Sequence, residues 1–167
     1  MAEPRDAQDA QDVRGLGDPM SVEALRKLHS ARAQSAYDRA AALCRHAGIE
    51  QDAAEIVPRS PVGRAANALR LSAESISALT GRAPDPAADA RCARNAAAAA
   101  ALAAQIAQSH DGTPEAVEAL NAALAASRAA AVAAGGTAAG RDPSLNEAAD
   151  DAEGHAVTTA RGAGWIR

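Results

Sequence analysis

The sequence is poor in aromatic and large aliphatic side chains. Its 167 residues include no Phe, one Trp and one Tyr, while Leu, Ile and Val together number 23. Ala occurs 51 times, so most of the 48% hydrophobic fraction consists of methyl groups. Because Ala gains much less than the about 1.5–3 kcal/mol of a buried large aliphatic side chain, these numbers predict one small domain with a thin core.

The motifs of familiar enzyme classes are also missing. The chain has no HExxH, GxxxxGK[ST], GxSxG or Gly-rich dinucleotide loop. None of its histidines follows a Glu at the spacing that di-iron bundles use. Its two cysteines, Cys44 and Cys92, lack the close spacing of a zinc site. We therefore expect free, buried thiols, no metal, no cofactor and a non-enzymatic role.

Two further absences concern location. No long charge-free apolar run is present, and the N-terminal segment carries acids where a secretory signal would carry cations and an apolar core. These features predict a cytoplasmic protein without a membrane segment.

Lysine is nearly absent, since Arg outnumbers Lys 16 to 1. Residues 21–109 carry a net charge of +3, and the segments on either side are acidic. This imbalance is far weaker than the basic stripe of a typical nucleic-acid module, so nucleic-acid binding is disfavoured. A weak regulator of that class would use the face of the first two helices that carries Arg32, Arg39 and Arg70.

Capping residues and apolar periodicity predict four α-helices. Ser21 is a suitable N-cap, and three later helices are each announced by a capping residue followed by Pro. The predicted helices are 21–47, 61–80, 86–109 and 114–134. Short links favour antiparallel neighbours, so the predicted fold class is all-α, with an up-down-up-down four-helix bundle over residues 21–136.

The two ends of the chain lack apolar periodicity. Residues 1–20 are acidic and contain Gly and Pro, which predicts a disordered N-terminal arm. Residues 137–167 are predicted to be a Gly- and acid-rich tail. Within this tail, Ser144 and Glu147 form a capping box that favours a short fifth helix over 145–153. Whether Trp165 docks onto the bundle is left open by the sequence.

Several polar residues interrupt the predicted inward-facing stripes. When the helices are placed in antiparallel register at about 1.5 Å per residue, five of them fall at one level. This polar layer consists of His29, Ser72, Cys92, Asn95 and Arg128.

The layer has two interpretations. In the structural one, Asn95 and Arg128 fix the register of alanine-rich helices that could otherwise slide. In the functional one, the layer binds a small anion or carboxylate ligand. Arg128 would then hold the ligand, Asn95 would orient it, and His29 would act as acid or base or lower the pKa of Cys92.

Three leucines lie outside the main predicted stripes: Leu28, Leu71 and Leu79. They suggest a second apolar surface, which a homodimer or a protein partner would cover. The leading functional hypothesis is therefore a non-enzymatic helical interaction or assembly protein. The alternative is a ligand binder or enzyme that uses the polar layer.

Overall fold

A computed structural model describes residues 18–167, and most of the predicted N-terminal arm, residues 1–17, lies outside them. The described chain is all-helical, as predicted, and contains no β-strand. The helices are α1 (Val22–His46), a 3₁₀ turn (Gln51–Ala53), α2 (Pro61–Leu79), α3 (Pro86–His110), α4 (Pro114–Ala134) and α5 (Pro143–Gly162).

Side-chain caps define where the helices begin. Each N-cap oxygen accepts a hydrogen bond from a backbone N–H of the first turn, which otherwise has no partner within the helix. Four of the five helices also have Pro at the first position, where the missing N–H costs nothing. The capping residues are Ser21, Ser60, Asp85, Thr113 and Asp142.

Helix α3 is central because it packs against α1, α2 and α4. Its contact with α1 is the most extensive between any two helices described. Arg26 near the start of α1 binds Asp89 near the start of α3, and His46 at the end of α1 binds Asp111 just after α3. These two helices therefore run side by side in the same direction.

The core of α3 and α4 is built mainly from alanine. The apolar spacing on α4 predicts that Val117, Leu120 and Leu124 face inward, and for Val117 this prediction is wrong. The structure leaves Val117 44% exposed and buries alanines such as Ala119 and Ala123 instead. Small side chains allow neighbouring helix axes to approach closely, so the closest contacts select Ala rather than larger residues.

The C-terminal segment differs from the predicted tail. It forms the 20-residue helix α5, which packs against α4 and α1. Its start signal is Asp142 followed by Pro143, two residues upstream of the capping box that the prediction used. Trp165 lies just beyond α5 and is buried in the main core.

One residue of the predicted second apolar surface is corrected by the structure. Leu79 is buried, because the end of α2 turns it towards Ala33 of α1 and Cys92 of α3. Leu28 is half-buried, and Leu71 remains 46% exposed.

Helix α4 meets the length and composition criteria for a membrane-spanning helix, with a mean hydropathy of 1.2 over its most apolar window. Core helices of water-soluble proteins meet the same criteria, and 39% of that window is buried in the fold. One such helix among residues 18–167 is weak evidence of a membrane segment.

Candidate functional site

The structure does not bring the five residues of the predicted polar layer together. His29, Ser72 and Cys92 are buried, whereas Asn95 and Arg128 are exposed. The inward placement of Asn95 and Arg128 is therefore corrected. Helix α3 has alanine on almost every face, so its alanines fill the core and its polar residues can face solvent. The Asn95 side chain accepts hydrogen bonds from its neighbour Arg94.

His29 is fully buried where α1 meets the segment before α5. Its Nε2 donates to the carbonyl oxygen of Gly140 at 2.8 Å, and the Asn146 amide donates to the same oxygen at 2.9 Å. Gly140 has a φ of +77°, and a Cβ there would lie 3.0 Å from His29 Nε2. Burial lowers the pKa of His29, so the neutral imidazole is favoured.

The buried thiols are not activated. Burial raises the pKa of Cys92, with the nearby Asp89 carboxylate adding to the effect, and burial raises the pKa of Cys44 to about 11. The predicted effect of His29 on the pKa of Cys92 is not among the causes of this shift, which burial dominates. Ser72 is also buried, and its hydroxyl has no hydrogen-bond partner among the described residues.

A different polar cluster joins α1 to α5. Arg39 binds Glu153 through two nitrogens at 3.1 and 2.7 Å, and both side chains are nearly fully buried. Arg32 binds Asp150 at 2.7 Å and the Asn146 carbonyl at 2.9 Å. We name this cluster the α1–α5 seam: Arg32, Arg39, Asn146, Asp150 and Glu153.

The seam corrects one further expectation. Arg32 and Arg39 were placed on a solvent-exposed face that a nucleic acid would contact. Both are buried in ion pairs, because their long side chains bridge the distance between α1 and α5. Only Arg70 of that set is exposed, and it is bound to Glu74.

Beside the seam, α1 and the C-terminal part of the chain enclose a groove of about 1030 Å³. On α1 it extends from Ala31 to His46, about 22 Å at the rise of an α-helix. The opposite wall includes Val157 and Arg161 of α5 and the final residues Gly164 to Arg167. We call this feature the α1–α5 groove.

The groove is rich in guanidinium groups. Arg45, Arg161 and Arg167 line it, are exposed, and make no ion pair with the described residues. Arg39 lines it too, and although Glu153 binds its Nε and Nη2, its buried Nη1 has no hydrogen-bond partner. Because that nitrogen is buried, the donors of the groove that are open to a ligand are the exposed guanidinium groups of Arg45, Arg161 and Arg167.

The negative charge in the groove is smaller than the positive charge. The carboxylate of Asp38 lines it and accepts a hydrogen bond from Gln34 at 2.8 Å. The charge of Arg39 is balanced by Glu153. Three guanidinium groups therefore face one carboxylate, which gives the groove a local positive potential on a chain whose net charge is -4.

A hydrogen-bonded cluster holds the C-terminal wall of the groove in place. Asp111 Oδ2 accepts from Trp165 Nε1 and from His46 Nε2, both at 2.8 Å. These hydrogen bonds lower the pKa of Asp111. The ring centroids of His46 and Trp165 are 6.2 Å apart.

The sequence contains a signal that could have identified the seam. Arg32 and Arg39 lie seven residues apart on α1, and Asn146 and Glu153 have the same spacing on α5, so each pair lies on one helix face. The basic stripe of one helix therefore matches the polar, acidic stripe of the other. We missed this match because residues 137–167 were predicted to be a tail.

No group of three His, Cys, Asp or Glu side chains within residues 18–167 is placed to hold a metal ion. Comparison with family models, curated proteins and solved structures finds no match to this chain. The geometry of the α1–α5 groove is therefore the basis for a proposed function.

Proposed function

We propose that this chain is a non-enzymatic helical interaction protein that binds an acidic segment of a protein partner in the α1–α5 groove. The observation that carries the proposal is the concentration of unused cationic donors there. Arg45, Arg161 and Arg167 are exposed and have no ion-pair partner in the described chain.

The length of the groove favours a peptide segment over a small anion. Its wall on α1 extends for about 22 Å, which an extended chain covers with six or seven residues at about 3.3 Å each.

The chemistry of the groove favours carboxylates. Arginine presents a planar fork that binds carboxylate or phosphate through two parallel hydrogen bonds. A long polyanion such as a nucleic acid would also be repelled by the chain as a whole, whose net charge is -4. That repulsion disfavours a nucleic acid more strongly than a short acidic segment confined to the groove.

The titratable groups support a binding role rather than a catalytic one. The pKa values of both thiols are raised by burial, and His29 is buried against the Gly140 carbonyl. His46 is bound to Asp111 at the groove wall. Neither of the thiols nor His29 lines the groove, and His46, which does, is held by Asp111 through its Nε2.

We also propose the following architecture and setting. Consecutive helices among α1–α4 alternate in direction, up-down-up-down, which is supported by the hydrogen bond from Arg26 near the start of α1 to the Leu79 carbonyl at the end of α2. Free buried thiols support a cytoplasmic protein. The exposed side chain of Leu71 supports weak homodimerisation through α2, which sedimentation of a Leu71→Asp variant tests.

The experiment for the groove uses fluorescein-labelled hexaglutamate and fluorescence anisotropy at about 50 mM salt, where charge interactions are weakly screened. We expect saturable binding, and Arg45→Glu or Arg161→Glu should each weaken it about tenfold or more. Arg128→Glu is the matched control, since Arg128 is an exposed arginine outside the groove. Equal weakening by all three substitutions would show a nonspecific charge effect and contradict the proposal.

A second comparison tests the class of ligand. A single-stranded oligonucleotide of equal charge replaces hexaglutamate in the same assay. We expect weaker binding of the oligonucleotide. Tighter oligonucleotide binding that depends on Arg45 and Arg161 would overturn the assignment of a protein partner.

A further inference from the structure

A second depression lies next to the α1–α5 groove, on an adjoining face of α1. It consists of two adjoining pockets of about 300 and 370 Å³ between α1, α2 and the connector that joins them. Both pockets are lined by Tyr37, Ile49, Gln51 and Leu69. We call them together the Tyr37 cleft.

The floor of the Tyr37 cleft is apolar and is built on the core, whereas its rim carries charged side chains of both signs. Ile49 and Leu69 are each 8% exposed, so their side chains form walls that are fixed by packing. Ala73 of α2 lines the first pocket, and Ala41 of α1 lines the second. An apolar floor beneath a polar rim fits an aliphatic or aromatic side chain.

Charge and continuity link the cleft to the groove. Asp38 and Arg45 line both the groove and the second pocket of the cleft. Arg45 makes no ion pair in the described chain, so a carboxylate bound to it would lie at the boundary between the two depressions. A chain leaving that carboxylate reaches the apolar walls of the cleft directly.

We propose that the Tyr37 cleft is an anchor pocket for a large apolar side chain of the same acidic segment that occupies the α1–α5 groove. This inference rests on the proposed function and specifies the partner. The partner segment carries acidic residues followed or preceded, within about two extended positions, by Leu, Ile, Met or Phe. Ala41 lies one helical turn, about 5–6 Å, from Arg45, and two extended residues cover that distance.

The division of roles follows from the two environments. Ion pairs at the exposed Arg45, Arg161 and Arg167 select acidic ligands, and their contribution to affinity falls as salt screens them. A side chain buried in the cleft removes apolar area from water, and buried apolar anchors dominate most interfaces. The cleft therefore supplies affinity and the groove supplies charge selectivity.

The experiment compares three labelled peptides on the full chain: hexaglutamate, hexaglutamate extended by Gly-Leu, and hexaglutamate extended by Gly-Ser. The extension is placed at the C-terminus in one set and at the N-terminus in another, so that both chain directions are sampled. In one direction, we expect the Gly-Leu peptide to bind about tenfold tighter than the Gly-Ser peptide. Equal affinities in both directions would overturn the anchor pocket, while tight hexaglutamate binding would leave the groove intact.

Variants then locate the apolar contact. Ala73→Leu and Ala41→Leu each place a larger side chain in one pocket of the cleft, and Ala129→Leu changes a half-buried alanine of α4 that lines neither depression. We expect one of the cleft variants to reduce the Leu advantage to less than twofold without changing hexaglutamate affinity. Ala129→Leu should preserve the advantage.

The hexaglutamate affinity also serves as the folding control, since a variant that retains it has kept the groove. If both cleft variants retain the full Leu advantage, the apolar side chain binds elsewhere and the proposal is wrong. If none of the peptides binds the native chain, the proposed function and the anchor pocket fail together.

Discussion

Helix α1 makes two very different contacts on two of its faces. Towards α3 it presents alanines such as Ala33, Ala36 and Ala40, which are completely buried. Towards α5 it presents Arg32 and Arg39, which bridge to acidic side chains. The first contact brings many backbone positions close together, whereas the second brings few.

The difference shows how one helix combines a close contact with an open one. Alanine faces let two helix axes approach towards the lower end of the usual range of about 8–10 Å. Arginine side chains hold the partner helix further away, and the space that they cannot fill becomes the α1–α5 groove. A binding site thus forms where the small-residue pattern of the chain is interrupted.

The largest effect is expected at the contact between α1 and α5 when Arg39 is replaced. Arg39→Ala leaves the Glu153 carboxylate buried without its cation, so we expect a loss of about 3–5 kcal/mol in the free energy of unfolding, measured by urea denaturation. Replacing both partners, Arg39→Met with Glu153→Leu, should recover most of that loss because no charge then remains buried. Equal destabilisation by the single and double variants would show that packing, rather than charge, dominates the seam.

The α3 side is tested by adding volume instead. Ala36→Leu inserts three carbons where the helices are closest, and we expect a loss of about 1–3 kcal/mol in the free energy of unfolding. Ala42→Leu makes the same change on the groove wall, where there is space, and should change the stability by less than about 0.5 kcal/mol. Similar losses for both variants would contradict the contrast between the two faces of α1.

The all-α fold class can be predicted from the sequence alone. Helix starts depend on local chemistry, and a capping residue followed by Pro carries its own physical signal wherever it occurs. Asp142 and Pro143 carry the same signal as Asp85 and Pro86. The sequence predicts too short a helix there, because the acids that follow Pro143 are also typical of a solvated tail.

The candidate site was much less predictable, and the reason is the alanine content. Periodicity identifies a buried face only when large apolar and polar residues contrast, and α3 has Ala on nearly every face. The inward placement of Asn95 failed for that reason. Likewise, a single sequence does not show that Arg39 pairs with Glu153. The two residues are 114 positions apart, and their contact depends on how α1 and α5 pack.

A smaller effect is expected from pH at His29, which lies where the two sides of α1 meet. Burial and the charge of Arg32 lower its pKa, against the opposing carboxylates of Asp89 and Asp150. The neutral ring therefore stabilises the fold fully above the unfolded pKa of about 6.5, and this stabilisation is lost as the pH falls towards the lower folded pKa.

The measurement is the Tm of the native chain and of His29→Gln between pH 7.5 and pH 5.5, a range of about two units that lies above the carboxylate pKa values. Gln keeps a donor for the Gly140 carbonyl but does not titrate. We expect the native Tm to fall with pH more steeply than that of the variant. Parallel curves would assign the pH dependence to groups other than His29.

The smallest effect is expected at the C-terminal wall of the groove, where the contact between α1 and the end of the chain can be changed without changing the contact between α1 and α3. Asp111→Ala removes the acceptor that Trp165 and His46 share, so the wall should loosen while the α1–α3 contact persists. Trp165 is the single Trp of the chain, and its emission should therefore shift to the red and become more accessible to acrylamide. Asp38→Ala, which removes a groove carboxylate without touching Trp165, should leave the emission unchanged.

Because hydrogen bonds lower the pKa of Asp111, the native emission should persist at pH values above the unfolded carboxyl pKa of about 3.9 and change only as the pH falls through the folded value. A red shift already at pH 5 would show that the Asp111 carboxylate does not control the position of the wall.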